Sequence, residues 1–389
     1  MDTHAAYAIY AFKTDGTISL QVKGQFPYAA FLSYTVYDSH GLLFSARLDK
    51  DMAPDKGSIN PFTPGALVNA TNRSYTLVVA PFNQKPLNPN TIYMPPLPPG
   101  ATEESLVLVM RVYLTEPGKD KVKEKPGGVP LPIITAMKGG INPTPTTCPS
   151  VAGPKDFGSF GGFSPAPAPS QGRILFYRPP VSMVPFADGS GQLKISDCTS
   201  YLMATLEKDK VAVIRFNQIP TYFNNTKTTP STTFSLTQVR YLSMGSYGTS
   251  LIPPPGSELK PASKQGNIAG PEMRPAADGS ETIVVIPHSL SDELKAQIAA
   301  IASSRGFNVM PMASEGENVP KEVPPFLIYR NKMAADGYNG AISNVPCYTG
   351  TPFSQAPESF AASQSNMGAF APQGVECAVK DFMSGTCGK

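Results

Sequence analysis

The chain is 389 residues long, 41% hydrophobic and only 16% charged, with 42 Pro, 33 Gly and a net charge of +3. This composition excludes a disordered chain, a coiled coil and a long-helix bundle, and 32 basic against 29 acidic residues exclude an electrostatic footprint for nucleic acid. The length predicts two domains, and Thr, Val and Tyr among so many turn formers predict β structure.

In chain order, Ile18, Leu20 and Val22 alternate with Ser19, Gln21 and Lys23, the period of a half-buried strand. Phe31 to Tyr37, Leu77-Val78-Val79 and Leu108 to Leu114 read as further strands, the second dense enough to be buried on both faces. Turns are expected at Thr14-Asp15-Gly16, Ala187-Asp188-Gly189 and Ala277-Asp278-Gly279. A helix is expected after Ser289 and Ser291, with Asp292 and Glu293 in its first turn, Leu294, Ile298 and Ile301 on one face and Gly306 as its stop. A shorter helix is expected around Ala335 to Ser343.

Five blocks recur in the same order in each half. Asp2 to Tyr7 is answered by Asp197 to Tyr201, and Leu20 to Pro27 by Val213 to Pro220. Phe31 to Tyr37 is answered by Tyr241 to Tyr247, Tyr75 to Pro81 by Glu281 to Pro287, and Leu108 to Leu114 by Leu327 to Met333. Insertions fall in the connections, where a duplicated fold tolerates them. The fold expected is therefore mainly β: two tandem, internally duplicated antiparallel domains of jelly-roll or β-sandwich type, with one short helix in the second. The expected boundaries are 1–140 for the first domain, 141–171 for a Pro/Gly/Ser-rich linker, 172–350 for the second domain and 351–389 for a C-terminal tail.

Few residues offer chemistry. Of three histidines, His40 follows Tyr37-Asp38-Ser39, so Asp38 and His40 are a candidate catalytic dyad; a hairpin turn explains the same residues. Asp49, Asp51 and Asp55 put carboxylates on one loop and are the candidate calcium ligands, although Lys50 and Lys56 lie among them. No other cofactor is implied. Arg111 and Arg330 occupy matching places inside apolar strands, where a guanidinium must be paired or face a cavity. One reading is structural, with Asp120 as a partner for Arg111; the other makes Arg111 and Arg330, with Tyr37 and Tyr247, a ligand-binding set. No GxSxG elbow and no zinc spacing occurs, and the absence of Trp argues against a polysaccharide-binding face.

No apolar run approaches the ~20 residues of a membrane span. Met1-Asp2-Thr3-His4 has neither the basic nor the apolar segment of a signal peptide, so the protein is expected to be cytosolic, or exported with its leader replaced by the starting Met. Three features favour a secreted or periplasmic protein. Cys377 and Cys387 are spaced to close a short loop, with a second bridge open to two of Cys148, Cys198 and Cys347. Acceptor sequons occur at Asn69, Asn72 and Asn224, and the charge content is low.

Phe26 to Tyr34 with Tyr37-Asp38, Pro54 to Phe62, Arg73 to Thr76, and Arg111 to Leu114 with Gly127 to Pro132 resemble motifs of an uncharacterised family of exported bacterial and fungal proteins. Gln238 to Ser243 and Leu327 to Asn331 fit the same family. The resemblance implies tandem β-sandwich domains and supplies no activity. The leading expectation is a binding protein holding a small, mostly apolar ligand in the crease between its domains. The alternatives are an enzyme that shapes such a molecule, as lipocalin-like cyclases do, less readily a hydrolase, or a surface-assembly component.

Overall fold

The computed structural model describes residues 4–38, 43–82, 89–116, 119, 125–138, 144–146, 172–178, 201–223, 237–247, 266–313, 325–346 and 365–387. Everything below concerns these residues. The first half contains β1 (Ala5–Thr14), β2 (Ile18–Gln25), β3 (Ala29–Tyr37), β4 (Leu43–Leu48), β5 (Ser74–Pro81), β6 (Thr91–Met94), β7 (Glu104–Thr115), β8 (Ile133–Lys138) and β9 (Thr144–Thr146). The second contains β10 (Arg173–Ile174), β11 (Leu202–Thr205), β12 (Val211–Phe216), β13 (Tyr241–Tyr247), β14 (Gly266–Ala269), β15 (Glu281–Ile286), β16 (Asn308–Pro311), β17 (Phe326–Lys332) and β18 (Gln373–Cys377).

The chain is mainly β, with four sheets, none closed into a barrel, and few short helices. Their orders are β1-β7-β3-β4 and β6-β5-β2-β8-β9 in the first half, and β11-β17-β13-β14 and β10-β18-β12-β15-β16 in the second. Matched strand for strand, the halves run alike except at β9 and β10. One buried cluster in the first half draws Phe12, Leu32, Leu106 and Leu108 from one sheet and Leu20, Val22, Leu77 and Val79 from the other. A second cluster does the same in the second half with Leu242, Met244 and Leu327 against Ala212, Ile214, Ile283 and Val285.

Five findings correct the expectations. The sheets are not wholly antiparallel, because β5–β6 and β15–β16 pair in parallel. A parallel pair needs a crossover, and helix α1 (Asp292–Ser304) supplies it in the second half. Ser291 caps that helix by accepting from the Leu294 amide at 3.3 Å, and Ile298 and Ala302 bury its inner face. Second, the stretch expected as a tail supplies β18, which pairs with both β12 and β10. Helix α2 (Val379–Ser384) follows it, and Phe382 packs into the cluster under α1. Third, β9 lies in the stretch expected as linker and pairs with β8. Fourth, the match of Leu20 with Val213 is one residue out: Leu20 faces Val79 and Ala212 faces Val285. The reason is burial of β12 on both faces, with Val211 and Val213 towards α1 and Ala212 and Ile214 towards the other sheet. Without polar alternation the sequence does not mark which face is which. Fifth, the segment expected as a short helix around Ala335 to Ser343 is mostly turns, with a 3-10 turn at Ile342–Asn344.

The halves meet through reciprocal side-chain pairs. The 3-10 turn after β4, Asp49–Asp51, offers Asp49 to Arg240 of the second half. The 3-10 turn after β14, Gly270–Glu272, offers Glu272 to His4 of the first half at 3.1 Å. The Asp49 side chain is 0% exposed and that of Arg240 6%. Asp49 also accepts from the Leu32 amide at 2.7 Å. Burial raises its carboxyl pKa, and the Arg240 charge opposes this. Beside the pair, Tyr113 meets Tyr241 at 4.9 Å between ring centres, and Lys332 lies 5.6 Å from the Phe31 ring.

Two stability predictions follow from these contacts. Asp49→Asn is expected to cost about 3–5 kcal/mol in urea unfolding, because it strands a buried guanidinium; Asp49→Leu with Arg240→Met should restore most of the loss. A Cβ on Gly266 would lie 1.8 Å from the Pro311 carbonyl oxygen, where β14 crosses close to β16. Gly266→Ala should therefore cost about 1–3 kcal/mol in the same assay, since backbone rather than a side chain must move.

Candidate functional site

Arg111 lies on the face of β7 turned away from the first core. It stands opposite Tyr7 on β1 and Ser33 on β3. Because the side-chain period in a strand is two, Thr35 and Tyr37 share that face. Arg111 Nη1 donates to the Thr35 hydroxyl at 2.7 Å and Nη2 to the Tyr37 hydroxyl at 2.5 Å. Its guanidinium lies 5.9 Å from the Tyr7 ring centre and 5.4 Å from that of Tyr37.

The second half repeats this arrangement. Arg330 on β17 stands opposite Ser243, its Nη1 donates to the Tyr247 hydroxyl at 2.7 Å, and it lies 6.0 Å and 5.3 Å from the rings of Tyr201 and Tyr247. Three residues beyond each arginine the chain takes a left-handed conformation, at Leu114 (φ 49°) and Met333 (φ 58°). Among the described residues these are the only non-glycine positions with positive φ. A bulky side chain there is strained by roughly 1–2 kcal/mol, so both halves carry the same local cost at the same place.

The two arrangements share a neighbourhood. Burial pushes the Tyr201 phenol well above its usual pKa; Arg330 and Arg111 oppose that shift, and Tyr37 and Tyr177 add to it. Tyr201 thus feels the arginines of both halves. Tyr7, Tyr37, Arg111 and Tyr201 are nevertheless only half-buried. Beside Arg111, Tyr113 packs with Tyr241 and Lys332. For Arg111, burial disfavours the charge, but Tyr37, Tyr113 and Tyr7 outweigh this and its pKa is raised.

The other expected residues fare differently. Asp38 is buried, and His40 lies outside the described residues. Asp49, Asp51 and Asp55 are not brought together: Asp49 turns inward to Arg240, Asp51 is exposed, and Asp55 accepts from the Thr76 hydroxyl at 3.3 Å. Among the described residues no three His, Cys, Asp or Glu side chains gather to hold a metal. Cys377 and Cys387 are placed for a disulfide, with Cα atoms 5.6 Å apart. Cys148, Cys198, Cys347, Asp120 and Asn224 lie outside the described residues. The part of the arrangement that sequence reasoning missed is Tyr7 with Tyr201. Their signal was present in the first matched block, whose last residues they are. Elsewhere, an open depression of about 570 Å³ lies between Asn339, Asn344 and residues 365–370 and contains none of the expected residues.

No protein-family model matches the chain, and no curated protein does. Among solved structures, similarity is found to an uncharacterised protein from Burkholderia cenocepacia, at 12% identity and a TM-score of 0.40, covering 85% of this chain and 74% of the other. The VPA0106 protein from Vibrio parahaemolyticus is similar at 12% identity and a TM-score of 0.38, covering 86% of each chain. No helix among the described residues is long and apolar enough to cross a membrane.

One buried carboxyl, on β18, sets a pH dependence. Burial raises the Glu376 pKa from 4.5 to about 7, opposed by its hydrogen bond from the Glu207 amide. Its second oxygen, Oε2, is buried without a partner. A carboxyl that holds its proton more tightly when folded stabilises fully below its unfolded pKa. That contribution is lost as pH rises through the folded value. Thermal unfolding should therefore show stability falling from about pH 4.5 to about pH 7, and Glu376→Gln should flatten the fall by a few degrees.

Proposed function

We propose that the protein is a binding module that holds a small, mostly apolar ligand in the crease between its halves. The observation that carries this reading is the convergence of Arg111 and Arg330, each held by tyrosine, on the half-buried Tyr201. Aromatic walls with a few fixed polar groups are the composition of small-molecule sites. Val107 and Val109 of the first half and Met203, Phe326 and Ile328 of the second supply buried apolar neighbours.

The proposal extends to origin and place. The two halves are read as copies of one sandwich unit, supported by the matched strand orders, the matched arginines and the paired positive-φ residues. The protein is read as exported, supported by the placement of Cys377 and Cys387, since such bonds persist in oxidising compartments.

Native mass spectrometry of the full chain from its own host tests the binding reading. A small organic mass is expected on the wild type, lost on denaturation and depleted in Tyr201→Ala. A wild type that carries nothing, and whose crease takes up no apolar dye, overturns it.

A further inference from the structure

We infer that the ligand of the crease is an organic anion, an apolar body ending in a carboxylate, with Arg111 as the principal contact; this rests on the crease being a ligand site. Two deeply buried arginines show what a guanidinium out of water requires. Arg240 has Asp49. Arg73, 2% exposed, donates to three carbonyl oxygens, those of Ala70, Phe26 and Val68. Arg111 has two hydroxyls and, among the described residues, no carboxylate. Hydroxyl dipoles offset only part of the cost of removing such a charge from water.

The rest of its fork points to where the anion goes. Among the described residues Arg111 Nε has no hydrogen-bond acceptor, and the residue is only half-buried. The fork matches the plane and spacing of a carboxylate. The Tyr201 phenol, held well above its usual pKa by burial, stays protonated, so it donates to an anion and does not repel one. Ile9 and Ala11 lie on the same face, opposite Val109 and Val107, and Ile9 is 55% exposed. They form an apolar wall running outward from Arg111, along which the body of the ligand would lie.

A matched pair of dyes tests this on the full chain: 1-anilinonaphthalene-8-sulfonate, an apolar anion, and N-phenyl-1-naphthylamine, its uncharged analogue. Both are expected to bind the wild type. Arg111→Gln should weaken the anionic dye by about tenfold or more, the worth of one charge-assisted hydrogen bond, and weaken the neutral dye far less. Arg111→Lys should retain most of the anionic binding. In the wild type, decanoate should displace the anionic dye far better than decanol, which keeps the test independent of how the variants fold. Equal displacement by the two, or equal binding of both dyes to the wild type and Arg111→Gln, overturns the anion and leaves the crease standing. Failure of the wild type to bind either dye overturns both readings.

Discussion

Asp49 and Arg240 are both out of water, and the way the halves meet depends on that. A buried charge pair is a poor source of stability but a strict judge of geometry, since either partner alone is costly. It pins the turn after β4 to the strand entry at Arg240, and the Leu32 amide fixes the carboxylate from the other side. With that point fixed, Tyr113 meets Tyr241 and Lys332 covers Phe31, so one end of the junction is packed shut. Arg111 and Arg330 stand two residues earlier on the same strands as Tyr113 and Lys332.

Each buried arginine is answered in its own way, and the answer indicates its role. Arg73 gathers three carbonyls and ties the loop around residues 66–73 to the end of β2, which is structural work. Arg240 joins the halves. Arg111 and Arg330 receive phenol hydroxyls, groups that accept a donor while remaining able to donate to something else.

The likeness between the halves extends below strand order to single residues. Arginine, tyrosine and the left-handed residue three places later recur together, while the surrounding core residues differ. Tyr34 and Tyr75 hydrogen-bond inside the first core at 2.6 Å, where the second has Met244 and Glu281 at the matched positions. Core volume can be filled many ways, but a buried cation and a strained backbone each need particular neighbours.

What was legible in the sequence is what depends on local pattern. Strand periodicity, the capped helix after Ser291 and the matched places of Arg111 and Arg330 all follow from residue type and spacing. The register of β12 was not legible, because a strand buried on both faces has no polar side to mark it. The role of residues 373–384 was not legible either, since a strand's partners lie far off in the chain and Gly and Gln at its start read as tail. Asp49 looked like a metal ligand because neighbouring acids are visible in sequence, whereas its partner stands 191 residues away. The sequence alone determined which residues could carry a buried charge. Only the tertiary structure decided which of those charges meet an acid, because that pairing depends on distances between halves that no local pattern encodes.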